Sequence, residues 1–333
     1  MRYIFLRYLA TACFVLGLAA CNTVNLKTPA TVTVGSSGTT NATNTTSVAG
    51  TTNTEPNSQT VPPEKPVPTR DMRIGIAFGG GAAKGFAHIG VIRAFENNGI
   101  QVDVVSGTSA GSLVGAMYAH GATAGRLTQL ALSMDEAVLA DWTLSTRGAI
   151  KGEALQNYVN QAVGGVTMEK MRRPFIAVAT DFQTGDAVYF QRGDTGMAVR
   201  ASSSIPGVFQ AVHIGNKVYV DGGLSSPVPA LAARKLGADF VIAVDISSDP
   251  NATAPDSLAG MLAQTTAIMG LGLRQYELKT YADVVIKPAV QGIGGADFKA
   301  RNDVIQIGER ATLAKMQEIK DKITAAKLRL NLR

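Results

Sequence analysis

From Met72 onward, the sequence alternates continuous apolar runs of strand length with segments of helical character, and this alternation restricts the possible folds most strongly. Runs that stay apolar at successive positions are typical of strands that helices cover on both faces. The predicted strands are Arg73–Phe78, Val102–Val105, Phe175–Thr180, Phe240–Val244 and Val284–Ile286. Their alternation with helices predicts an α/β sandwich with a mostly parallel central sheet.

Alanine-rich segments between the strands predict helices, and Gly99 and Gly237 stand where helices should end. These helices are Phe86–Asn98, Ala110–His120 and Ala230–Leu236. Two further runs, Val208–Ile214 and Lys217–Val220, flank Gly215-Asn216 and predict a β-hairpin. In open α/β sheets the functional site lies beyond the carboxyl ends of the strands, so the residues that directly follow each strand are the first candidates.

The first seventy residues differ in composition from the rest of the chain. Residues 1–20 combine a basic start with an uncharged run that is too short to cross a bilayer as a helix, which indicates a signal peptide. The run ends in Leu18-Ala19-Ala20-Cys21, which resembles a bacterial lipobox with Cys21 as the residue that carries the lipid. An ordinary secretory signal is the alternative.

Residues 21–70 are rich in Thr, Asn, Ser and Pro and hold no aromatic residue, so a disordered tether is expected. The sequence therefore predicts four parts: a signal peptide (1–20), the tether (21–70), the α/β domain (71–290) and a basic helical segment (291–333). A protein of this organisation is expected in the bacterial cell envelope, held by its lipid, at the outer membrane if the cell is Gram-negative.

A glycine-rich loop, FGGGAAKGFAHIG, joins the first predicted strand to the first predicted helix. It does not fit the dinucleotide-binding pattern G-x-G-x-x-G, because Lys84 stands at the last glycine position. It does not fit a P-loop either, because Phe86 follows Gly85 where Lys-Ser or Lys-Thr is required. Nucleotide binding is thus disfavoured. Loop amides at the start of a helix can instead stabilise a negative charge, as an oxyanion hole does.

The segment Gly107-Thr108-Ser109-Ala110-Gly111 is a G-x-S-x-G between a predicted strand and a predicted helix. This context is typical of a nucleophile elbow, in which a sharp turn exposes the serine hydroxyl. Gly107 and Gly111 would give the turn the room that it needs. Ser109 is therefore the candidate nucleophile.

The usual general base for such a serine is a histidine, and the chain has only three. His120 lies too far along the helix that begins after Ser109, roughly 16 Å by the helical rise. His213 faces Val218 in the predicted hairpin and is better explained as an ordinary strand residue. His88, one turn into the first helix, stays open as a base.

Aspartates at strand ends are the other candidates for the base. Asp181, Asp221 and Asp245 each follow a strand-like run, and Asp221 is distinguished by the two glycines after it. The other two have ordinary explanations as turn or cap residues. A carboxylate can serve as base when partial burial raises its pKa, so a serine–aspartate pair is chemically reasonable. Asp221 and His88 both remain possible on these grounds.

The motifs GGGAAKG, GTSAG and DGG, in this order, resemble those of the patatin-like phospholipases and more closely their bacterial branch. The flanking segments AHIGVIRAFE, TDFQTG, RASSSIPGVF and DGGLSSPVPALAARKLGADFVIAVDIS agree, and they extend the similarity over about Arg73–Ser247. The resemblance implies a three-layer α/β/α patatin-like fold with a mostly parallel sheet. It also implies a lipid acyl hydrolase of the phospholipase A or lysophospholipase type.

Residue by residue, the resemblance implies a catalytic dyad of Ser109 as nucleophile and Asp221 as base. It implies an oxyanion hole built from the amides of Gly79, Gly80, Gly81 and Ala82. Ala82 stands where many family members have a glycine, which predicts a tighter loop. Lys84 is expected to orient this loop or to meet an acidic head group. The other motif positions expected to support the site are Gly85, Gly107, Gly111, Gly222 and Gly223.

No cofactor or metal is expected, because scattered histidines and two cysteines offer no ligand cluster. The expected partners are an acyl-ester lipid as substrate and the membrane through lipidated Cys21, with no nucleic acid. Residues 299–333 hold nine Lys or Arg and four Asp or Glu, so a helix here could lie with a basic face on anionic lipid. A helix that packs on the domain and keeps its charges in solvent is the simpler interpretation and is favoured. A thioesterase, a general esterase and a non-catalytic lipid-anchored binding factor are the alternatives.

Overall fold

In a computed structural model of the chain, an eight-stranded mixed sheet forms the centre of the described part. The structure describes residues 70–134, 151–250 and 258–333. The predicted signal peptide, Cys21 and nearly all of the predicted tether lie outside these residues. The strands are β1 (Ile74–Phe78), β2 (Val104–Thr108), β3 (Phe175–Asp181), β4 (Ala187–Phe190), β5 (Val212–Ile214), β6 (Lys217–Asp221), β7 (Phe240–Val244) and β8 (Val284–Ile286).

The strand order is β5-β6-β3-β2-β1-β7-β8, and β4 pairs with β3 beside this path. The five strands from β3 to β8 in this order run parallel to one another, while β4 and β6 run antiparallel to β3 and β5 runs antiparallel to β6. Every residue of β1, β2, β3 and β7 is buried. The prediction of a mostly parallel sheet, covered on both faces, is therefore confirmed.

Nine α-helices surround the sheet in the described part of the chain. They are α1 (Ala87–Asn97), α2 (Ala110–His120), α3 (Ala124–Leu132), α4 (Glu153–Ala162), α5 (Thr195–Ser202), α6 (Ala230–Lys235), α7 (Leu258–Tyr281), α8 (Arg301–Ala314) and α9 (Met316–Leu330). Short 3₁₀ helices occupy Ala82–Phe86, Met168–Lys170, Gly222–Leu224 and Phe298–Ala300. Within the described residues, no helix combines the length and the apolar character needed to cross a membrane.

The helices form two layers because each sheet face carries its own apolar cluster. The larger cluster joins one face of β1, β2 and β3 to α1, α2, α8 and α9. The smaller cluster joins the opposite face of β1 and β7 to α6 and to the last turn of α7. This arrangement is the three-layer α/β/α sandwich that the resemblance implies.

Helices α1 and α8 cross so closely that their backbones touch. A methyl group on Gly90 would overlap the carbonyl oxygen of Ile305, and one on Gly308 would overlap that of Ala87. Only glycine permits this approach, because any side chain would force the helices apart. The basic C-terminal segment therefore packs on the domain, as the sequence favours.

The predicted hairpin exists, with His213 opposite Val218, but its first strand is shorter than predicted. The sequence predicts a strand from Val208, whereas β5 begins at Val212. The amides of Val208 and Phe209 both donate to the carbonyl of Ile205 in a turn, so they are unavailable to a neighbouring strand.

Candidate active site

The strand register brings three distant sequence motifs to one edge of the sheet. Phe78, which ends β1, lies beside Gly107 of β2, and Thr108 lies beside Val178 of β3. The next residue of β3, Ala179, pairs with Asp221 at the end of β6. The glycine loop, Ser109 and Asp221 therefore meet at the carboxyl ends of the parallel strands, where α/β sheets carry their sites.

Ser109 sits on a strained turn between β2 and α2. Its φ of 53° is in a region that residues other than glycine rarely adopt, and such strain is a feature of nucleophile elbows. A side chain on Gly107 would overlap the backbone of Gly111, and one on Gly111 would overlap the carbonyl of Phe78. Both glycines are needed because backbone fills the space around this turn.

Ser202 of α5 holds the elbow in place, a contact that sequence reasoning missed. Its hydroxyl accepts a hydrogen bond from the Ser109 amide at 2.9 Å and donates to the carbonyl of Val178 at 2.5 Å. The side chain is fully buried. It belongs to the segment RASSSIPGVF, so the signal was present in the motif, but its partners come from β2 and β3.

Asp221 is buried at the end of β6 beside Ser109. One carboxylate oxygen, Oδ1, accepts a hydrogen bond from the Gly223 amide at 2.7 Å. The other, Oδ2, is buried without a hydrogen-bond partner of regular geometry. Burial raises the pKa of Asp221 to about 6, against the opposing effects of the Gly223 amide and the neighbouring Ser109 hydroxyl. The carboxylate is thus ionised at neutral pH and retains an oxygen that can accept a proton.

The glycine loop lies directly against the nucleophile, since a methyl group on Gly80 would approach the Ser109 Cβ to 3.2 Å. Its first two amides are already engaged: Gly79 donates to the carbonyl of Val244, and Gly80 donates to that of Pro227, both at 3.0 Å. Within the described residues, the amides of Gly81 and Ala82 make no hydrogen bond to the protein. Of the four amides expected to form the oxyanion hole, those of Gly81 and Ala82 are therefore the ones free to donate to an oxyanion.

Ala82 adopts a φ of 50°, in the left-handed region that favours glycine. This conformation explains why a glycine suits the position, and it makes the loop strained at this residue. Gly85 follows in the 3₁₀ helix, where a methyl group would come within 2.7 Å of the Ala110 Cβ. The loop and the start of α2 are therefore packed as one unit.

The sequence leaves His88 open as a base, but its contacts point to a structural role. Its Nε2 donates to the carbonyl of Gly79 at 2.9 Å, and its ring packs against Phe78. Burial lowers the pKa of His88 to about 4, so the ring is neutral at working pH. His88 holds the start of the glycine loop through Nε2, and its other ring nitrogen, Nδ1, is buried without a hydrogen-bond partner, so the ring makes no hydrogen bond to Ser109.

The two other strand-end aspartates are engaged elsewhere. Asp181 accepts from the Lys217 ammonium group at 2.9 Å, which holds the pKa of the carboxyl below its usual range. Asp245 accepts from the Ser247 amide at 3.0 Å and lies 3.6 Å from the guanidinium of Arg274. Neither has the open oxygen that Asp221 has.

Lys84 is buried and donates to the hydroxyl of Ser248 at 2.6 Å. Burial lowers the pKa of Lys84, although Asp249 and Asp245 oppose this effect. Of the two roles that the sequence suggests for Lys84, these contacts favour orienting the loop over meeting a head group in solvent.

A methyl group on Gly222 would overlap the carbonyl of Val178 in β3 and would lie 3.2 Å from Thr108 Cγ2. Any larger residue would push Asp221 away from the elbow. Thr108 itself donates to the carbonyl of Ser226 at 2.8 Å, which ties the strand before Ser109 to the turn after Asp221.

A small apolar cavity of about 30 Å³ opens beside the oxyanion loop. It is lined by Ala82, Phe86, Ala110, Leu113, Val114 and Phe298, among others. No polar side chain is among these residues, so the space beside the nucleophile suits hydrocarbon. Among the described residues, no group of three or more His, Cys, Asp or Glu side chains could hold a metal ion.

With this geometry established, comparison with known proteins identifies the domain. Residues 76–234 match the family model described as patatin-like phospholipase. This range of the chain is therefore similar to a patatin-like phospholipase domain. The matched range includes the glycine loop, Ser109 and Asp221.

Relatives of the patatin-like domain occur in bacteria and fungi. An uncharacterised NTE family protein of Mycobacterium tuberculosis is 35% identical over 211 residues, which cover 59% of this chain and 57% of the relative. A lysophospholipase of Pyricularia oryzae is 25% identical over 282 residues, which cover 74% of this chain and 19% of the relative. The chain thus spans little more than half the length of the mycobacterial relative.

Among solved structures, the patatin-like domain is similar to VipD from Legionella pneumophila. The match has a TM-score of 0.51 and covers 74% of this chain and 67% of VipD. With 12% sequence identity, this similarity concerns the fold alone.

Proposed function

We propose that this protein hydrolyses acyl esters of lipids, with Ser109 as nucleophile and Asp221 as general base. The observation that carries the proposal is the buried Asp221 carboxylate, whose open oxygen lies beside a serine on a strained elbow. The match to a phospholipase family and the similarity to a fungal lysophospholipase support a lipid substrate of the phospholipase A or lysophospholipase type.

In the first step, Asp221 accepts the proton of Ser109 while the Ser109 oxygen attacks the ester carbonyl carbon. The carbonyl oxygen becomes an oxyanion, which the amides of Gly81 and Ala82 stabilise by hydrogen bonds. Asp221 then returns its proton to the leaving alcohol or lysolipid as the carbon–oxygen bond breaks. The apolar cavity beside Ala82 would take the first carbons of the acyl chain.

In the second step, water attacks the acyl-enzyme, and Asp221 accepts a proton from that water. The tetrahedral intermediate collapses, Ser109 regains its proton, and the fatty acid leaves. Because the pKa of Asp221 is about 6, kcat/KM should fall as the pH drops below this value.

Fluorophosphonate labelling tests the proposal, because this reagent reacts with activated serines. The wild-type protein should be labelled, and Ser109→Ala should abolish labelling together with activity on a phospholipid panel. Asp221→Asn should lower the rate by on the order of a thousandfold or more, by analogy with removal of a catalytic base elsewhere. Asp181→Asn is the matched control, since this buried aspartate is paired with Lys217 and should leave labelling intact.

A folded wild-type protein that stays unlabelled would contradict the hydrolase and favour a non-catalytic binding factor. Labelling without turnover of any phospholipid, but with turnover of acyl thioesters or soluble esters, would contradict the lipid substrate instead. These outcomes separate the three classes of function.

We also propose that Cys21 carries a lipid that anchors the protein in the bacterial envelope. The sequence Leu18-Ala19-Ala20-Cys21 supports this proposal. Growth with labelled palmitate should label the wild-type protein but not Cys21→Ser. Equal labelling of both would contradict the anchor.

A further inference from the structure

Helix α7 exposes most of its large apolar side chains and buries two of its three charged ones, Arg274 and Glu277, the reverse of an ordinary surface helix. The exposed apolar residues share one face and are called the α7 apolar face: Met261, Ile268, Met269, Leu273 and Tyr276. Met269 is 70% exposed, whereas Arg274 and Glu277 of the same helix are only 5% and 7% exposed. The helix therefore needs an apolar partner on its outer side.

Buried charges fix this orientation of α7. The Arg274 guanidinium donates to Asp249 at 2.5 Å and to the carbonyl of Ser248 at 3.3 Å, and it lies 3.6 Å from Asp245. Rotation of the helix about its axis would leave these charges buried without partners, which is strongly unfavourable. The outward position of the apolar face is thus built into the fold.

Glu277 holds the same helix to the turn after Asp221. Its carboxylate accepts from the Ser226 hydroxyl at 2.8 and 3.0 Å and from the Leu231 amide at 3.1 Å. The carbonyl of Ser226 in turn accepts from Thr108, directly before the nucleophile. The apolar face is therefore rigidly connected to the candidate active site.

The face is also continuous with an opening beside that site. A methyl group on Gly270 would lie 3.5 Å from Pro227 and 3.8 Å from the carbonyl of Gly223. A cavity of about 260 Å³ separates α7 from the end of β3, and its lining includes Leu224, Met269 and Phe182. Phe182 is itself 63% exposed and extends the apolar surface across the cavity.

Charge distribution indicates what covers this surface. The sequence from Leu258 to Leu273 contains no charged residue, while the exposed Lys279 follows Tyr276 by one turn. Lys217, 57% exposed, lies on the other side next to Phe182, whose amide pairs with Val218. Because Lys217 also pairs with Asp181, Lys279 is the one of these two lysines whose charge is left to meet anionic head groups, and the apolar centre complements the hydrocarbon of a lipid surface.

We propose that the α7 apolar face, together with Phe182, docks the protein onto the surface of an anionic phospholipid bilayer. This inference rests on the proposed function in one respect, since a lipid hydrolase must take its substrate from such a surface. The docked orientation brings this cavity, whose lining includes Val220 directly before Asp221, to the bilayer.

The test uses an environment-sensitive fluorophore at single cysteines in the full chain. Cys13 and Cys21 are the two cysteines of the sequence, so replacing both with serine leaves the introduced cysteine as the single label site. The label sites are Met269→Cys and Phe182→Cys on the proposed surface and Leu328→Cys on α9 as the matched control. Leu328 is 80% exposed, so all three positions begin in solvent.

Vesicles of phosphatidylglycerol and phosphatidylcholine should shift the emission to the blue at positions 269 and 182 and cause a several-fold loss of quenching by iodide. The label at position 328 should change in neither respect. An unchanged signal at 269 and 182, or an equal shift at all three positions, would overturn the proposal. A shift at 269 that appears without lipid as the protein concentration rises would assign the face to a second copy of the chain and would also overturn it.

Fluorophosphonate labelling of the same samples separates the two proposals. Labelled protein without a lipid-dependent shift would reject the docking surface and keep the hydrolase. A lipid-dependent shift in protein that cannot be labelled would reject the hydrolase and keep the docking surface.

Discussion

Helices α7 and α9 both lie at the surface, yet they arrange their charges in opposite ways. Helix α9 buries Ile319 and Ile323 against the larger cluster and points its charges outward, where Lys315 and Lys322 pair with Glu318. Helix α7 buries Arg274 and Glu277 and turns its apolar residues outward. The basic composition of α9 therefore reflects an ordinary solvated face, whereas the less charged helix carries the surface suited to lipid.

The largest effect that separates the two helices is on stability. Ile319→Ala should lower the free energy of unfolding by about 2–5 kcal/mol, because Ile319 is fully buried and its loss leaves a cavity. Met269→Ala should change it by less than about 0.5 kcal/mol, because this side chain is mostly in solvent. Urea unfolding measures both. A similar cost for the two substitutions would break the comparison by placing Met269 inside a packed interface.

The next effect concerns the pH dependence of stability. Burial raises the pKa of Glu277 from 4.5 to about 7, so between these values the folded state binds a proton that the unfolded state has released. Stability should therefore fall as the pH rises through this window, by up to about 3 kcal/mol. Glu277→Gln should remove this part of the pH dependence, as measured by urea unfolding at pH 5 and pH 8.

Glu318 on α9 is the matched control for Glu277. Pairing with Lys315 and Lys322 lowers the pKa of Glu318. Its ion pairs therefore stabilise the folded state at pH values above the usual pKa of a glutamate, and this stabilisation is lost as the pH falls. Glu318→Gln should thus alter stability in the opposite pH direction and only slightly, because the side chain is exposed. If the free energy of unfolding changed with pH in the same way in both variants, this result would contradict the burial of Glu277.

A smaller effect is expected on turnover of lipid in vesicles. Replacing Ile268 and Met269 together by glutamate should lower kcat/KM on anionic vesicles about tenfold, equivalent to about 1.4 kcal/mol. The charges would meet hydrocarbon in the docked state. Leu328→Glu on α9 should leave vesicle turnover unchanged. Rates measured in parallel on a water-soluble short-chain ester show how much of any loss arises at the chemical step. An equal loss of kcat/KM on both substrates would contradict docking through the α7 apolar face.

The smallest effect is expected for the ion pairs of α9. Lys322→Ala removes a contact of 3.0 Å with Glu318 and should cost less than about 1 kcal/mol, with a weaker effect at high salt. Thermal unfolding at low and high salt would measure it. A large cost independent of salt would mean that Lys322 supports packing instead of charge pairing.

Much of the sheet could be predicted because its strands are locally apolar. Helix α2 and strands β7 and β8 have the predicted bounds. Strand β2 instead runs to Thr108, three residues beyond its predicted end. Its last residues are polar, and they are buried because Ser106 donates to the carbonyl of Pro229 at 2.8 Å and Thr108 to that of Ser226. Such partners, more than a hundred residues away, leave no local signal.

The orientation of α7 shows the same limit. Its first sixteen residues carry no charge, so the sequence does not indicate which side faces the domain. The choice is made by Asp245 and Asp249, which bind Arg274, and by Ser226, which binds Glu277. These partners come from other elements of the fold.

For the candidate site, the sequence by itself determined the order of the glycine loop, the serine elbow and the Asp-Gly-Gly turn, together with the residue types that each requires. The tertiary structure alone decided that the amides of Gly79 and Gly80 are engaged, that Ser202 supports the elbow, and that His88 holds the loop. The catalytic roles of Ser109 and Asp221 stay predictions. The physical reason for the difference is that residue type and local conformation are set by neighbouring residues, whereas burial and hydrogen-bond partners depend on which strands and helices the folded chain brings together.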